Sequence, residues 1–321
     1  MNKRILSPLA WLLALLLALT ACGGQPTQEE QTAAWLQGQI PEATVGSVGG
    51  DWLIFGLARS GCRVPDSYFE TYYRNVEQAV TEKGGVLHEK KYTEYSRLVL
   101  ALTAMGKDPA NVAGYDLLRP LGDFQKVTKQ GINGGIFALL ALDSGGYEVP
   151  RNQEAAVQAT RQLYVEALLG RELEGGGWAL TGDIPDADIT AMTLQALAKY
   201  REQPAVEAAV ARGVEALAAM QQADGGFSSW DTPNSESVSQ VIVALTELGI
   251  PLDDPRFVRN GETLEQVLLR FSNGEGGFFH VQEGGLGDDL MATEQAFYAL
   301  VALRRAEAGK TTLYDMTDVR S

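Results

Sequence analysis

One pattern recurs along most of this chain and restricts its fold more than any other feature. A short run of almost wholly apolar residues returns six times, at intervals of about 50 residues. Because the runs are apolar on nearly every side, we predict that each forms a helix buried on all faces. The runs are LIFGLARSG (53–61), RLVLALTAMG (97–106), GIFALLALDSG (135–145), TAMTLQALAKY (190–200), SQVIVALTELG (239–249) and TEQAFYALVAL (293–303).

Segments of mixed charge lie between these runs. Three of them, 65–84, 153–174 and 204–222, place apolar residues at helical spacing on one side, so we predict helices with one dry and one wet face. Paired glycines permit backbone angles with φ > 0 and predict turns into the next buried helix. The glycine groups are Gly49-Gly50, Gly84-Gly85, Gly134-Gly135, Gly175–Gly177, Gly225-Gly226 and Gly276-Gly277.

The alternation of buried helix, exposed helix and glycine turn predicts an all-α fold. We expect an α/α toroid of about six helical hairpins, in which the buried helices form an inner ring inside an outer ring. A linear solenoid is the alternative, but it would expose its end repeats, and the sequence has no polar capping repeat. We place the toroid domain at residues 45–307 and a polar C-terminal tail at 308–321.

The N-terminus has the features of an export signal. Lys3 and Arg4 precede an apolar run at 9–19, which is too short for a membrane-spanning helix of about 20 residues. The run ends at LTAC, which resembles a bacterial lipoprotein processing site. We therefore predict a signal peptide at 1–21, a lipidated Cys22, and a linker or first helix at 22–44. Acyl chains on Cys22 would hold the protein on the extracytoplasmic face of the cell membrane; an ordinary secretory signal is the alternative.

Charge and residue usage narrow the possible partners. The formal net charge of −15 disfavours nucleic acid and favours a small apolar or cationic ligand, or an envelope protein. Beyond the signal, Cys62 has no second cysteine to pair with, and we expect a buried thiol there or a free reactive one. The two histidines, His88 and His280, show no metal-ligand spacing, so we expect no metal, no cofactor and no histidine-based triad.

Three glycine turns carry an aromatic residue directly after them. The segments ELEGGGWAL, QADGGFSSW and NGEGGFFH resemble repeats of the terpene cyclase and protein prenyltransferase superfamily, which includes squalene–hopene cyclase. The resemblance covers roughly residues 45–305 and implies an α/α toroid, but it does not imply one chemistry, because this architecture serves cyclases, prenyltransferases, vitamin binders and complement-like domains. Prenyltransferases bind zinc through Asp, Cys and His, and Cys62 lies far from where that family places its cysteine.

Residues 186–191 (DADITA) match five of the six positions of D-x-D-D-T-A in class II terpene cyclases. This resemblance puts the catalytic general acid at Asp188 and its helper at Asp186. Ile189 replaces the final aspartate, which weakens a carboxyl cluster that must be acidic enough to protonate an alkene. The alternative is that Asp188, which we place one residue before a helix, caps that helix.

The starts of the inner helices and the glycine turns should gather at one end of the ring, which we call the mouth. Aromatic residues and carboxylates alternate there and could bind a neutral or cationic ligand. Two alternatives are that these are ordinary polar loops and that the aromatic residues only pin one hairpin onto the next. The candidate ligand-binding residues are Trp178, Asp183, Phe227, Trp230, Glu236, Phe278, His280, Asp288, Asp289 and Glu294.

We therefore expect a lipid-anchored binding module and lean against an enzyme. One alternative is a class II terpenoid-cyclase-like enzyme with Asp188 as general acid. A second is a cobalamin carrier that resembles transcobalamin, although such carriers add a β-rich domain for which the tail is too short. A scaffold without a small-molecule site is the third.

Overall fold

The computed structural model describes residues 25–282 and 289–319, and within them the chain is built almost wholly from helices. Two short strands, β1 (Ser228–Ser229) and β2 (Thr232–Pro233), form one hairpin. In chain order the helices are α1 (Gln28–Gln39), α2 (Trp52–Arg59), α3 (Asp66–Glu82), α4 (Thr93–Ala104), α5 (Phe124–Thr128), α6 (Ile132–Ser144), α7 (Arg161–Leu169), α8 (Ala187–Leu197), α9 (Pro204–Met220), α10 (Ser235–Glu247), α11 (Leu264–Leu269) and α12 (Leu290–Glu307).

The even-numbered helices form a closed inner ring, as the periodicity predicts. Each of α2, α4, α6, α8, α10 and α12 packs against the next, and α12 packs back against α2. Their side chains are buried on nearly all sides; in α10, for instance, every residue from Ser235 to Thr246 is buried. A linear solenoid would leave α2 and α12 apart, so the prediction of an α/α toroid is confirmed.

The odd-numbered helices form the outer ring, and glycine turns join the two layers where close approach is needed. Gly276 has φ +110°, and a Cβ there would lie 2.6 Å from the Gln31 carbonyl oxygen of α1. A side chain at Gly276 would therefore push the last hairpin away from the first. Gly84 and Gly85 also adopt positive φ angles in the turn after α3, as predicted.

Two sequence expectations about local structure are wrong. Gly134-Gly135 does not form a turn but lies inside α6, where a Cβ on Gly134 would meet the Val127 carbonyl oxygen at 2.0 Å. The outer helix predicted over 153–174 is shorter, because the Thr160 side chain caps α7 by accepting from the Leu163 amide and the helix ends at Leu169.

The C-terminal ends of the inner helices form the opposite face of the ring, which we call the floor, and the chain's last described residues cross it. Arg59 at the end of α2 donates to the carbonyl oxygens of Thr312 and Asp315, both at 2.8 Å. Met316 donates its amide to Ser144 of α6. Leu313, Tyr314 and Met316 are buried, so residues 311–319 close the floor.

The predicted signal peptide, Cys22 and Asp288 lie outside the described residues. Within those residues, no helix is both long and apolar enough to cross a membrane. Cys62 is partly buried; desolvation and the nearby Glu29 carboxylate raise the pKa of its thiol to about 11, so it is a poor nucleophile at neutral pH.

Candidate functional site: the mouth of the ring

Asp186 and Asp188 hold different positions at the start of α8. Asp186 is the N-cap residue, and its Oδ1 accepts from the Ile189 amide at 3.0 Å while its Oδ2 accepts from the Ser229 hydroxyl at 2.8 Å. The expectation that Asp188 caps this helix is wrong, because Asp188 is already the second helical residue. The capping role belongs to Asp186.

Asp188 is mostly buried, and its Oδ1 atom has no hydrogen-bond partner among the described residues. Desolvation is the largest influence on this carboxyl; the hydroxyls of Ser237 and Ser229 oppose it, while the carboxylates of Asp186 and Glu236 reinforce it. Together they raise the pKa of Asp188 to about 6. A carboxyl with an unpaired oxygen and a pKa close to neutral pH can bind a ligand or exchange a proton.

A cleft of about 470 Å³ opens beside Asp188. One wall carries the exposed apolar side chains of Leu180 and Ile184, and the other is the β1–β2 hairpin. At the tip of the hairpin, Trp230 and Asp231 have φ angles of +52° and +61°, the backbone of a two-residue hairpin turn that usually needs glycine or asparagine. This costly conformation leaves the Trp230 side chain 78% exposed at the cleft.

Glu236 and His280 form a pair close to Asp188. The Glu236 side chain is buried at the start of α10, and both of its carboxylate oxygens lie 2.9 Å from His280 Nδ1. Ser235 adds a hydroxyl donor to Glu236 Oε2. The mouth thus brings together Asp188, Glu236 and His280, which the sequence places almost 100 residues apart.

Glu294 is a third buried carboxyl at the mouth. Its Oε1 accepts from the Gly49 amide at 2.7 Å. Desolvation raises the pKa of Glu294 to about 8, with a smaller contribution from the carboxylates of Asp51 and Asp289, while the Gly49 amide opposes the rise. Glu294 therefore carries a proton at neutral pH.

The remaining sequence candidates do not line the cleft. Trp178, Phe227 and Phe278 are fully buried, and the Trp178 indole donates to the Leu168 carbonyl oxygen of α7. These three aromatic residues pin the hairpins together. Asp289 caps α12 by accepting from the amides of Met291 and Ala292, and Asp183 is exposed on the loop that precedes α8.

The comparisons with known proteins point to the same architecture. Residues 138–272 match the family model of the squalene-hopene cyclase C-terminal domain. The ent-copalyl diphosphate synthase of Streptomyces platensis is similar in structure, with a TM-score of 0.51 and 18% identity over 81% of this chain and 50% of that chain. This chain has the terpene cyclase-like α/α-toroid fold. It spans about half the length of that synthase.

A second solved structure is more distantly similar to this terpene cyclase-like toroid. It is an unsaturated glucuronyl hydrolase from Bacillus sp. GL1, with a TM-score of 0.47 and 15% identity over 90% of this chain and 97% of that chain. No curated protein sequence matches the chain.

The lumen, the space enclosed by the inner ring, holds aromatic residues that are not among the candidates predicted from the sequence. Trp52 of α2 and Phe137 of α6 have ring centroids 5.8 Å apart, although α4 separates their helices in the ring, so both side chains must point inward. Both are only partly buried, so each ring keeps some accessible surface. Tyr298 of α12 also contacts Trp52, with centroids 6.1 Å apart. In the sequence, Phe137 and Tyr298 are recognisable only as aromatic residues within otherwise aliphatic runs.

Proposed function

We propose that this terpene cyclase-like toroid is a lipid-anchored binding module on the extracytoplasmic face of a cell membrane, and that its mouth binds a small ligand that carries a cationic group on an apolar body. The observation that carries the proposal is the Asp188 carboxyl, which is mostly buried, has one unpaired oxygen, and lies beside an apolar cleft. The lipid anchor is supported by the sequence around Cys22.

The charges around the cleft favour a cation. Asp186, Asp188 and Asp231 line it, the Glu236 carboxylate acts on Asp188 from nearby, and His280 is already paired with Glu236. An anionic ligand would meet repulsion here, whereas an ammonium group would give the unpaired Asp188 oxygen the donor that it lacks. Ile184 and Trp230 can cover the apolar part of such a ligand.

Benzylamine tests this proposal, with benzyl alcohol as its neutral counterpart. We expect the full-length protein in a nonionic detergent to bind benzylamine more tightly by isothermal titration calorimetry. Asp188→Asn should weaken that binding by about tenfold or more, as expected for the loss of a charge-assisted hydrogen bond. Benzylamine stays charged between pH 5 and pH 7. Its affinity should therefore fall about tenfold when the pH is lowered from 7 to 5, because Asp188, whose pKa is about 6, takes up a proton.

Asp183→Asn is the matched control, because Asp183 is a carboxylate on the adjoining loop but is exposed. It should change the affinity less than twofold. Equal binding of the amine and the alcohol, with no effect of Asp188→Asn, would contradict the proposal.

A class II cyclase-like activity is the second candidate, because Asp188 occupies the acid position of the DADITA segment and adjoins an open cleft. Two observations rank it lower. Burial makes Asp188 a weaker acid than an exposed aspartate, whereas protonation of an alkene needs a stronger one. Ile189 is buried where the motif has its last carboxyl. Conversion of squalene by the wild-type protein, lost in Asp188→Asn, would reverse this ranking.

A further inference from the structure

The lumen contains hydrogen-bond acceptors that nothing in the described chain satisfies. Asn133 Oδ1 of α6, Asp188 Oδ1 and Gln195 Oε1 of α8 are buried atoms without a partner in the described residues. Asp188, Met192 and Gln195 are spaced four and three residues apart, so they share the face of α8 that points into the lumen. Gln195 itself is 97% buried, with only 3% of its surface exposed. Buried polar atoms are nearly always paired, and such exceptions indicate a missing partner.

Beside Asp188 the Ser237 hydroxyl is a buried donor without another partner, whereas the amide donors around Gln195 are already in use. Gln195 Nε2 donates to the backbone oxygen and to Oε1 of Gln240, each at 3.0 Å. Gln240 Nε2 in turn donates to Gln295 Oε1 at 2.9 Å and contacts the Tyr298 hydroxyl. This amide chain across α8, α10 and α12 fixes Gln195 and leaves its oxygen free. A partner in the lumen must therefore bring donors.

The lumen also offers two aromatic rings, whose planes are tilted by 54° to each other. Trp52 and Phe137 meet across the ring, and both side chains remain partly accessible. From Asp188 to Gln195 the rise along α8 is about 10 Å, so the free acceptors span more than one small donor group can bridge. The carboxylates at the mouth disfavour an anionic partner, and a pure hydrocarbon would leave every free acceptor unpaired.

We propose that the lumen binds a neutral or amino-bearing saccharide, with a ring face on Trp52 and Phe137 and its hydroxyl groups donating to Asn133, Asp188 and Gln195. A sugar ring combines several edge hydroxyls with an apolar C–H face, which is the combination that these residues require. The amino-bearing case rests on the proposed function, since its amine would take the place of the cation at Asp188.

Saturation-transfer NMR and calorimetry on the full-length protein in nonionic detergent test this proposal. The probes are the neutral disaccharide N,N′-diacetylchitobiose, its de-N-acetylated diamine, and farnesol as an isoprenoid alcohol. We expect at least one of the two disaccharides to bind and farnesol not to bind. Gln195→Met removes the free acceptor within the same volume and should weaken disaccharide binding about tenfold; Trp52→Leu should weaken it by a similar factor.

Ser96→Ala is the matched control. Ser96 Oγ is also buried and unpaired, but it belongs to α4, which contributes none of the acceptors or aromatic rings of the proposed site. It should change the affinity less than twofold, and thermal melting should show each variant folded. Benzylamine binding that depends on Asp188 without any disaccharide binding would overturn this inference and leave the proposed function standing. Farnesol binding that Gln195→Met strengthens would also overturn it.

Discussion

Replacing Asp188 with asparagine should make this protein more stable at neutral pH, even though it removes the central group of the proposed site. The unfolded chain ionises Asp188 near pH 3.8, whereas burial in the folded protein raises its pKa to about 6. The folded state therefore holds this proton more tightly than the unfolded state does. Stability conferred by the neutral carboxyl is complete below pH 4 and is lost as the pH rises through 6.

The size of this effect follows from the pKa difference. About two pKa units correspond to about 3 kcal/mol, and partial exposure of Asp188 to solvent in the mouth reduces this to about 2 kcal/mol. Asparagine does not titrate, has nearly the same shape, and escapes this cost. The gain in unfolding free energy for Asp188→Asn should thus be near zero at pH 4 and about 2 kcal/mol at pH 7.5.

Urea denaturation followed by circular dichroism at pH 4, 6 and 7.5 measures this gain. The midpoint for Asp188→Asn should move above that of the wild type as the pH rises, without a change in the slope of the transition. Asp183→Asn changes an exposed carboxylate on the loop that precedes α8, and its urea midpoint should not differ from that of the wild type in a pH-dependent way.

A constant difference at all three pH values would refute the linkage argument, because it would mean that the effect of Asp188→Asn does not come from ionisation. A loss of stability at pH 7.5 would show that the carboxylate has a favourable partner in the folded state. In the second case the carboxylate would already have a partner and could not serve as the attachment point for a cation.

The ring could be predicted from the sequence because its cause is local and repeated. An apolar run such as 239–249 can only be accommodated where all its faces are covered, and six such runs at similar spacing require a closed layer around them. The floor could not be predicted in the same way. The tail at 308–321 is mostly polar in sequence. The burial of Leu313, Tyr314 and Met316 within it depends on Arg59 and Arg305, which lie in other parts of the sequence and bind Asp318 and nearby carbonyl groups only in the folded chain.

The candidate site was only partly predictable for a related reason. The motif drew attention to Asp186 and Asp188, but the cap assignment depended on a helix boundary that the sequence fixes only to within a few residues. Gln195 and Gln240 could not be identified in this way, since a single polar residue inside an apolar run carries no motif. In a closed ring those positions face the lumen, and a buried glutamine there is the most informative residue of its helix.

Two further predictions concern the floor and the anchor. Arg59→Met should lower the unfolding free energy by about 3 kcal/mol, since it leaves the Thr312 and Asp315 carbonyl groups without their buried donor and Asp318 with Arg305 alone, whereas Arg63→Met at an exposed position should be neutral in the same urea titration. Cys22→Ala should abolish labelling by radioactive palmitate and release the protein from the membrane fraction, whereas Cys62→Ser should do neither, and equal labelling of both variants would refute the anchor.

On the proposed anchoring, the fold determines which way the mouth points. Pro26 and Glu30 lie beside Cys62 and Arg63, which directly follow the floor end of α2. From Cys22 to Pro26 the chain can reach at most about 14 Å, so the floor must stay close to the bilayer. The mouth, at the other end of the inner helices, then faces away from the membrane, together with the exposed apolar side chains of Val48, Leu180, Ile184, Trp230 and Met291. A ligand drawn from the supporting bilayer would have to travel around the ring to reach it. The geometry therefore favours a ligand supplied from the side opposite the anchoring membrane, such as the saccharide proposed for the lumen.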